Sequence, residues 1–384
     1  MADRIYLDYA ATSPVLPEVL EAMLPFFISS FGNPSGIYGT GREARKAVER
    51  ARQQTAAAIG AESREILFTS GGSESDNLAI RGTALALQGK GHHLITSRIE
   101  HPAVLNPCRQ LEKEGFSVTY LDPDPFGRIA PEDVERAIRP DTILVSIMAA
   151  NNEIGTVQPV AWIGEICREK GICFHTDAVQ AAGQMKLDVQ ELGADLLSLS
   201  AHKFHGPKGA GALYVRKGTR LEAVIRGGAQ ERGLRAGTEN VPGIVGLGKA
   251  IETAEAEREE NTRRIRELRD LLIRQVTERI PEVHLNGHPQ ERLANNCHFS
   301  FAGIESEALL LRLDLAGIAV SGGSACTSGN IEPSHVLRAI GLEEKYLKSG
   351  IRLTLGRETT GEEILETVRI LRAIVADLRR MGGR

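Results

Sequence analysis

The chain has 384 residues, of which 42% are hydrophobic and 25% are charged, and its formal net charge is −4. These proportions are close to globular averages, and the length suits one large and one smaller domain. The acidic balance argues against a nucleic-acid-binding protein, because such proteins present basic patches to phosphates. The sequence has no apolar stretch near the roughly 20 residues that span a bilayer, and no apolar core of a signal peptide. We therefore expect a soluble, cytoplasmic protein that binds neither membranes nor nucleic acid directly.

Five cysteines are scattered along the chain, at positions 108, 167, 173, 297 and 326. An odd number without a Cys-x-x-Cys pair argues against a disulfide framework and against a zinc site. The first four lie in or beside apolar periodic segments, where a cysteine usually acts as a small core residue.

Apolar runs alternate with amphipathic helical stretches between residues 65 and 216, after a short N-terminal strand or arm and a predicted helix over 44–59. Seven of these runs are predicted strands: 66–69, 93–96, 118–121, 143–148, 172–175, 196–199 and 212–215. Helical periodicity marks the stretches 103–115, 132–138 and 161–170 between them. This alternation predicts an α/β domain with a mostly parallel seven-stranded sheet.

The pattern changes near residue 249, where a charged helical pattern runs to about residue 280 and predicts one long connecting helix. Shorter elements follow, namely strands over 296–301, 318–320 and 351–355, helices over 306–315 and 334–340, and a last helix from Thr360. Thr360 and Glu363 fit a capping box at the start of that last helix. We predict a large domain over 13–255 and a smaller α+β domain formed by 1–12 and 256–384.

Lys203 follows the predicted strand 196–199 and precedes a loop with three glycines and a proline. A lysine at the end of a buried strand is desolvated, which lowers the pKa of its amine and makes it a nucleophile suited to a Schiff base. An isolated lysine in a turn is more often a surface residue. The interpretation therefore depends on what the other strand ends carry.

Four other predicted strands are also followed by residues that could bind a ligand or take part in catalysis. After strand 66–69, the turn at Gly71 and Gly72 opens a helix in the manner of a phosphate site, although it lacks the Gly-Lys-Ser/Thr of a P-loop. Asp177 ends the strand 172–175; an aspartate there can keep a heteroaromatic nitrogen protonated, or can simply cap a helix.

The other two strand ends carry an imidazole and amides. His101 follows strand 93–96 and could stack on a planar ligand or shuttle a proton, or be an ordinary loop histidine. Asn151 and Asn152 follow strand 143–148 and place amide groups at the same rim. Together with Lys203, these groups predict that the rim of the sheet binds pyridoxal 5'-phosphate as an electron sink.

Nine motifs across the chain resemble those of the NifS/IscS-type cysteine desulfurases, within the class V aminotransferase group of pyridoxal-phosphate enzymes. They occur in the family's order at 6–12, 68–71, 100–101, 151–155, 175–180, 199–211, 235–241, 323–326 and 352–357. The resemblance implies the fold-type I architecture and a homodimer as the active unit.

The resemblance also implies a role for each matching residue. Lys203 would form the Schiff base with the cofactor and move the substrate Cα proton, and His101 would stack on the cofactor ring. Asp177 would pair with the pyridine nitrogen and Gln180 with the phenolic oxygen. The cofactor phosphate would be held by Gly72, Ser73, Ser200 and His202, and Thr238 would reach the phosphate of the partner subunit. Asn152 would also be among the cofactor-binding residues, and Asn152 and Arg352 would bind the substrate carboxylate. An arginine suits that last task because it binds carboxylates in a bidentate manner.

The chain departs from the family pattern at two places. Gly36 and Tyr38 stand where the family usually has a serine and a histidine, which puts the role of that loop in doubt. Gly72 and Ser73 replace the usual Ala-Thr, and the serine keeps the hydroxyl for the phosphate.

Cys326 decides the reaction that we expect. Its surroundings, 320–330, contain three glycines and several hydroxyl residues, a composition that predicts an exposed loop and therefore an exposed thiol. Without the family context it would pass for an incidental loop cysteine. With a pyridoxal-phosphate site, we expect Cys326 to take the sulfur of L-cysteine as a persulfide, leaving L-alanine.

The persulfide sulfur would pass to an acceptor protein, such as an iron–sulfur scaffold or a tRNA-thiolation enzyme. We predict no resident metal, although Cys326 could contribute transiently to a cluster on a partner. An aminotransferase, a selenocysteine lyase or a kynureninase-like hydrolase needs no such thiol. A catalytically idle binding protein would not need Lys203, Asp177 and Arg352 together.

Overall fold

The structure, a computed structural model, describes residues 4–322 and 333–382. Its strands, in chain order, are β1 (Ile5–Tyr6), β2 (Ile66–Thr69), β3 (His93–Ser97), β4 (Ser117–Leu121), β5 (Thr142–Ser146), β6 (Cys173–Asp177), β7 (Leu196–Ser200), β8 (Gly211–Val215), β9 (Val283–Asn286), β10 (Asn296–Phe301), β11 (Ile318–Ala319) and β12 (Ile351–Thr354). The seven strands predicted between residues 65 and 216 are confirmed, with ends that differ by two residues at most.

These seven strands form one sheet in the order β2-β8-β7-β6-β5-β3-β4. β8 runs antiparallel to both of its neighbours, and the remaining pairs are parallel. All strands except β8 therefore point the same way, and their carboxyl ends meet at one edge of the sheet. Most of the strands are buried along their whole length, which explains why their sequences are apolar runs rather than alternating patterns.

Helices surround the sheet and form much of the second half of the chain. They are α1 (Pro17–Met23), α2 (Pro25–Ile28), α3 (Gly39–Ala58), α4 (Gly72–Asn77), α5 (Thr83–Leu87), α6 (Pro102–Lys113), α7 (Pro131–Ala137), α8 (Val160–Lys170), α9 (Val241–Ala256), α10 (Arg258–Arg279), α11 (Ser306–Leu315), α12 (His335–Ala339), α13 (Glu344–Leu347) and α14 (Gly361–Gly382). A π-helical turn over Leu78–Gly82 joins α4 to α5.

Local sequence signals set several helix ends. α8 ends at Gly171, whose φ of 67° is the left-handed conformation that glycine adopts without strain. At the start of α14, the Thr360 main-chain N–H donates to the Glu363 carboxylate, and the Glu363 N–H donates to the Thr360 hydroxyl. The predicted capping box is confirmed.

The prediction of one helix over 249–280 is wrong, because the chain bends at Glu257 and forms α9 and α10 instead. α9 packs against α3 beside the large sheet, whereas α10 packs against α14. α9 and α10 thus pack against different hydrophobic cores, and a single straight helix could not pack against both. The bend falls beside the predicted domain boundary at 255/256, and the boundaries themselves stay a prediction.

A second, three-stranded antiparallel sheet has the order β12-β10-β9 and lies in the core that α10 and α14 cover. The N-terminal arm pairs with this part of the molecule, since Ile5 lies opposite Ile318 and Asp8 bridges to Thr354. From there the arm continues across to the carboxyl edge of the large sheet, because the Ser13 N–H donates to the carbonyl of His202 at 2.9 Å.

Candidate active site

The carboxyl edge of the large sheet brings three chain turns into close contact. A Cβ on Gly211 would lie 2.5 Å from the Gly71 Cα, and a Cβ on Gly72 would lie 2.7 Å from Val179 Cγ2. Real Cβ atoms do not come so close to their neighbours, so the two glycines let the turn after β2 lie directly against its neighbours, and a Cβ at position 72 would require Val179 to shift. The predicted phosphate turn and the Asp177 turn are therefore neighbours.

Lys203 lies in a short 3-10 turn directly after β7. Its Nζ donates hydrogen bonds to the carbonyl oxygens of Ala10 at 2.6 Å and Ala11 at 2.8 Å. Burial, with Arg352 adding to it, lowers the pKa of the Lys203 amine to about 8. A neutral, nucleophilic amine is thus accessible near physiological pH, as the sequence predicts.

Asp177 and His101 lie near Lys203, and the interaction of their charges shows in their pKa values. Burial raises the pKa of the Asp177 carboxyl, against the opposing effects of the neighbouring His101, the Val179 N–H and Lys203. Its Oδ1 accepts the N–H of Val179 at 2.9 Å, so it also serves the turn. Burial lowers the pKa of His101, and its Nδ1 accepts the N–H of Ala103. A neutral His101 therefore carries its proton on Nε2.

Arg352 on β12 reaches this edge from the smaller sheet. One of its terminal nitrogens donates to the Asp8 carboxylate at 2.8 Å, and the other donates to the main-chain carbonyl of Asn152 at 2.8 Å. The Arg352 Nε is buried and has no hydrogen-bond partner in the described part of the chain. The guanidinium therefore keeps at least the Nε N–H without a partner among the described residues.

The other predicted site residues occupy positions of different kinds. Gln180 donates to the Ala10 carbonyl at 3.0 Å, and His202 Nδ1 lies 3.2 Å from the Thr12 hydroxyl. Burial and the neighbouring Lys203 lower the pKa of His202 to about 4. Ser200 and Gly72 are buried, Asn152 is half-buried, and Ser73 and Thr238 are exposed. Cys326 lies outside the described residues.

Sequence reasoning missed the part that the N-terminal arm plays at this site. The carbonyls of Ala10 and Ala11 accept from Lys203, and Asp8 forms an ion pair with Arg352. A carbonyl acceptor leaves no signal in the side-chain pattern. Asp8, an acidic residue within the apolar arm 5–11, was the one available signal.

A second omission is a pair of buried carboxyl groups beneath the site. Asp76 on α4 is fully buried, with Oδ1 3.7 Å from His175 Nε2. Glu100 is also fully buried; its carboxylate accepts from the Ser97 hydroxyl at 2.6 Å and from the Met148 N–H at 3.1 Å. Burial, reinforced by Asp177, raises the pKa of both carboxyls, that of Glu100 to about 8.

We expect Glu100→Gln to stabilise the fold increasingly as the pH rises from 5 to 8. The folded protein keeps the Glu100 proton up to about pH 8, whereas the unfolded chain loses it near pH 4.3, so folding becomes less favourable across that window. Glutamine keeps the acceptor oxygen and removes this cost, which amounts to about 5 kcal/mol at pH 9 for a pKa that rises from about 4.3 to about 8. Urea unfolding at pH 5, 7 and 9 measures the difference, with exposed Glu169→Gln as control. A constant difference across these pH values would contradict the buried, protonated Glu100.

The two family departures at Gly36 and Tyr38 are linked in the structure. A Cβ on Gly36 would lie 2.6 Å from the Tyr38 ring, so a serine at 36 and this tyrosine rotamer exclude each other. The Tyr38 ring and the Ile37 side chain are both exposed. The loss of the serine therefore makes room for the tyrosine.

Four cysteines fall within the described residues, and burial raises the pKa of each of their thiols. The pKa values of Cys108, Cys167 and Cys297 rise to about 12, and that of Cys173 also rises well above its ordinary value. The thiolate is the nucleophilic form of cysteine. None of these four thiols is therefore a nucleophile at neutral pH.

Within residues 4–322 and 333–382, no group of three or more His, Cys, Asp or Glu side chains could hold a metal ion. Among the helices of the same residues, none combines the length and the apolar character needed to cross a membrane.

The chain matches relatives along its full length. The sequence profile of the aminotransferase class-V family matches residues 5–366. The cysteine desulfurase IscS of Dictyoglomus turgidum is 55% identical over 382 residues, covering 100% of this chain and 97% of the relative. The enzyme of the same name from Methanosarcina thermophila is 55% identical over 98% of this chain and 93% of its own length.

Solved structures agree with these relatives. A NifS-like protein superposes with a TM-score of 0.92 at 38% identity, covering 97% of this chain and 100% of its own. The structure of SspA in complex with cysteine superposes with a TM-score of 0.81 at 41% identity, covering 91% of this chain and 98% of its own. The chain thus belongs to the class-V aminotransferase family and, within it, to the pyridoxal-phosphate-dependent cysteine desulfurases.

Proposed function

We propose that Lys203 and Cys326 carry the two halves of the conversion of L-cysteine to L-alanine, with the sulfur leaving as a persulfide on Cys326. The observation that carries this proposal is the position of Lys203. Its amine, with a pKa lowered to about 8, lies at the strand edge near Asp177, His101 and Arg352.

The residues at this edge fit pyridoxal phosphate by their chemistry. A buried carboxylate, Asp177, suits a protonated ring nitrogen, and a nucleophilic amine, Lys203, suits the aldehyde. The turn at Gly72 lies beside the buried Ser200, so main-chain N–H groups and hydroxyls are available for a phosphate. When bound, the cofactor supplies an electron sink for the carbon skeleton of the substrate.

Each group of the site has a separate task in this proposal. Lys203 would hold the cofactor through its amine and would move the proton of the substrate Cα through Nζ. Arg352 would bind the substrate carboxylate through its N–H donors, of which that on Nε has no partner in the described part of the chain, and Asn152 would help to orient the carboxylate. His101 would stack on the cofactor ring, and its lowered pKa keeps the imidazole uncharged beside Lys203.

Cys326 is the sulfur acceptor in this proposal because the other four thiols are unsuited to the task. Burial raises their pKa values too far for a thiolate to form at neutral pH. The Cys326 thiolate attacks the sulfur of the bound substrate. An S–S bond forms, the substrate C–S bond breaks, and its electron pair passes to the carbon skeleton, which leaves as alanine after protonation.

The persulfide sulfur then passes to an acceptor protein, for which we propose an iron–sulfur scaffold or a tRNA-thiolation enzyme. Among similar structures are SspA in complex with cysteine and DndA from Streptomyces lividans, the latter with a TM-score of 0.78 at 39% identity. The first of these supports L-cysteine as the substrate of this chain.

We also propose that the active unit is a homodimer. The segment 15–38 exposes a set of large apolar side chains in the single chain, namely Leu20, Leu24, Phe27, Ile28, Phe31 and Ile37. Six large apolar side chains exposed within one short segment support an interaction site there. Thr238 is exposed as well, which leaves it available to the phosphate of a partner subunit. Light scattering should give twice the chain mass of 41.6 kDa.

The experiment that tests the function is a product balance with the purified holoenzyme. L-Cysteine and a thiol reductant should yield alanine and sulfide in equal amounts, because one C–S bond breaks for each turnover. The control is L-alanine with a keto acid acceptor, which an aminotransferase would convert. Transamination without sulfide would overturn the desulfurase assignment.

A further inference from the structure

Two consecutive non-glycine residues, Glu231 and Arg232, adopt left-handed backbone conformations with φ of 44° and 59°. Gly233 follows with φ of 80°. Such conformations are costly for residues that carry a Cβ, and they persist only where the surroundings hold them in place. The segment 230–238, which begins here and ends at Thr238, is therefore held by something specific.

A buried ion pair holds this strained turn. Two nitrogens of Arg52, on α3, donate to the Glu231 carboxylate at 2.8 and 2.9 Å, and the exposed fractions of the two side chains are 7% and 3%. The same carboxylate accepts the N–H of Phe68 at 3.0 Å, and the Arg52 guanidinium lies 4.7 Å from the centre of the Phe68 ring. Glu231 thus joins α3 and β2 to the segment.

Two further contacts fix the segment against the same strand and turn. Arg232 donates to the Ile66 carbonyl on β2 at 2.9 Å. Arg235 donates to Glu74 at 2.9 Å, and Glu74 in turn accepts the N–H of Ser70, which precedes the phosphate turn. Glu231, Arg232 and Arg235 thus all form hydrogen bonds to β2, or to residues beside the phosphate turn, within the segment that leads to Thr238.

We propose that the Arg52–Glu231 pair is a positioning element for cofactor binding, which fixes the segment 230–238 against β2 and thereby sets the position of Thr238. This inference rests on the proposed function, in which Thr238 completes the phosphate site of the partner subunit. Neither Arg52 nor Glu231 is among the proposed cofactor contacts. Loss of the pair displaces a phosphate ligand and leaves Lys203 and Asp177 in place.

The test is a spectroscopic titration of the apoenzyme with pyridoxal phosphate and, separately, with pyridoxal, which lacks the phosphate. We expect Glu231→Gln and Thr238→Ala each to raise the dissociation constant of pyridoxal phosphate about tenfold, as for one hydrogen bond to a charged group. Binding of pyridoxal should stay unchanged. The double variant should bind pyridoxal phosphate no more weakly than Thr238→Ala, because both changes remove the same contact.

Glu49→Gln is the matched control, since Glu49 also pairs with Arg52 but is half-exposed and, among the described residues, accepts its side-chain hydrogen bond from Arg52 and not from the segment. If Glu231→Gln does not fold, Arg52→Gln/Glu231→Gln replaces it, because a neutral pair leaves no lone buried charge. The positioning role would be overturned if Glu231→Gln weakened the binding of pyridoxal as much as that of pyridoxal phosphate. It would also be overturned if Glu231→Gln/Thr238→Ala bound pyridoxal phosphate more weakly than Thr238→Ala alone. If Thr238→Ala bound pyridoxal phosphate with wild-type affinity, the proposed contact of Thr238 with the phosphate would be refuted. If Thr238→Ala bound it more weakly and Glu231→Gln did not, only the positioning role of the Arg52–Glu231 pair would be refuted.

Discussion

Lys203→Ala should abolish covalent attachment of the cofactor and lower the rate of desulfuration by about 10³-fold or more, because one residue supplies both the amine and the proton transfer. The measurements are the visible absorbance of the purified enzyme and sulfide release from L-cysteine. Lys203→Arg should be equally inactive, although it keeps donors for the carbonyls of Ala10 and Ala11. Turnover at the wild-type rate in either variant would remove Lys203 from the mechanism.

Lys208→Ala is the control, because Lys208 is an exposed lysine in the same loop. The pH dependence of cofactor attachment gives an independent check. Only the neutral amine reacts, so the rate of attachment to the apoenzyme should rise about tenfold per pH unit below pH 8 and level off above it. An ordinary lysine would instead show a rise that continues to about pH 10.

The sheet was predictable because its strands are buried on both faces. A strand such as β5, buried from Thr142 to Ser146, needs apolar residues throughout, and an unbroken apolar run bounded by turns is a strong local signal. The strand ends were predictable for a related reason. A residue that closely follows such a run, as Asp177 and Lys203 do, lies at the rim of the sheet whatever the position of its strand in the sheet order.

The bend at Glu257 was not predictable, because it depends on which core each half of the helix meets. The sequence from 249 to 280 keeps a helical period, and nothing at Glu257 is a helix breaker. The same holds for the N-terminal arm at the site. The hydrogen bonds from Lys203 to Ala10 and Ala11 join residues almost 200 positions apart, and they use main-chain acceptors that every residue has.

The buried acids beneath the site show a different limit. Local sequence treats Asp76 and Glu100 as surface residues, since acidic side chains are seldom buried. Their burial depends on the tertiary structure, which also supplies hydroxyl partners such as Ser97 for Glu100. Sequence reasoning thus locates the groups that protrude from the sheet edge, and it misses the groups beneath them.

Cys326→Ala should keep the bound cofactor and the binding of L-cysteine and lose desulfuration, with the rate of sulfide release falling about 10²-fold or more. The reason lies in the other thiols, whose raised pKa values leave no substitute nucleophile among the described cysteines. The cofactor spectrum with and without L-cysteine checks binding, and a sulfide assay checks turnover.

Cys173→Ala is the matched control, because Cys173 is the only half-buried thiol among the four described cysteines and its pKa is raised well above the ordinary value. That variant should desulfurate L-cysteine at the wild-type rate. In the native wild-type enzyme, iodoacetamide at neutral pH should label one cysteine per chain, Cys326, since alkylation requires the thiolate. Sulfide release by Cys326→Ala at the wild-type rate would show that the substrate sulfur leaves without passing through this thiol. That result would rule out the persulfide step and would leave the role of Lys203 unaffected.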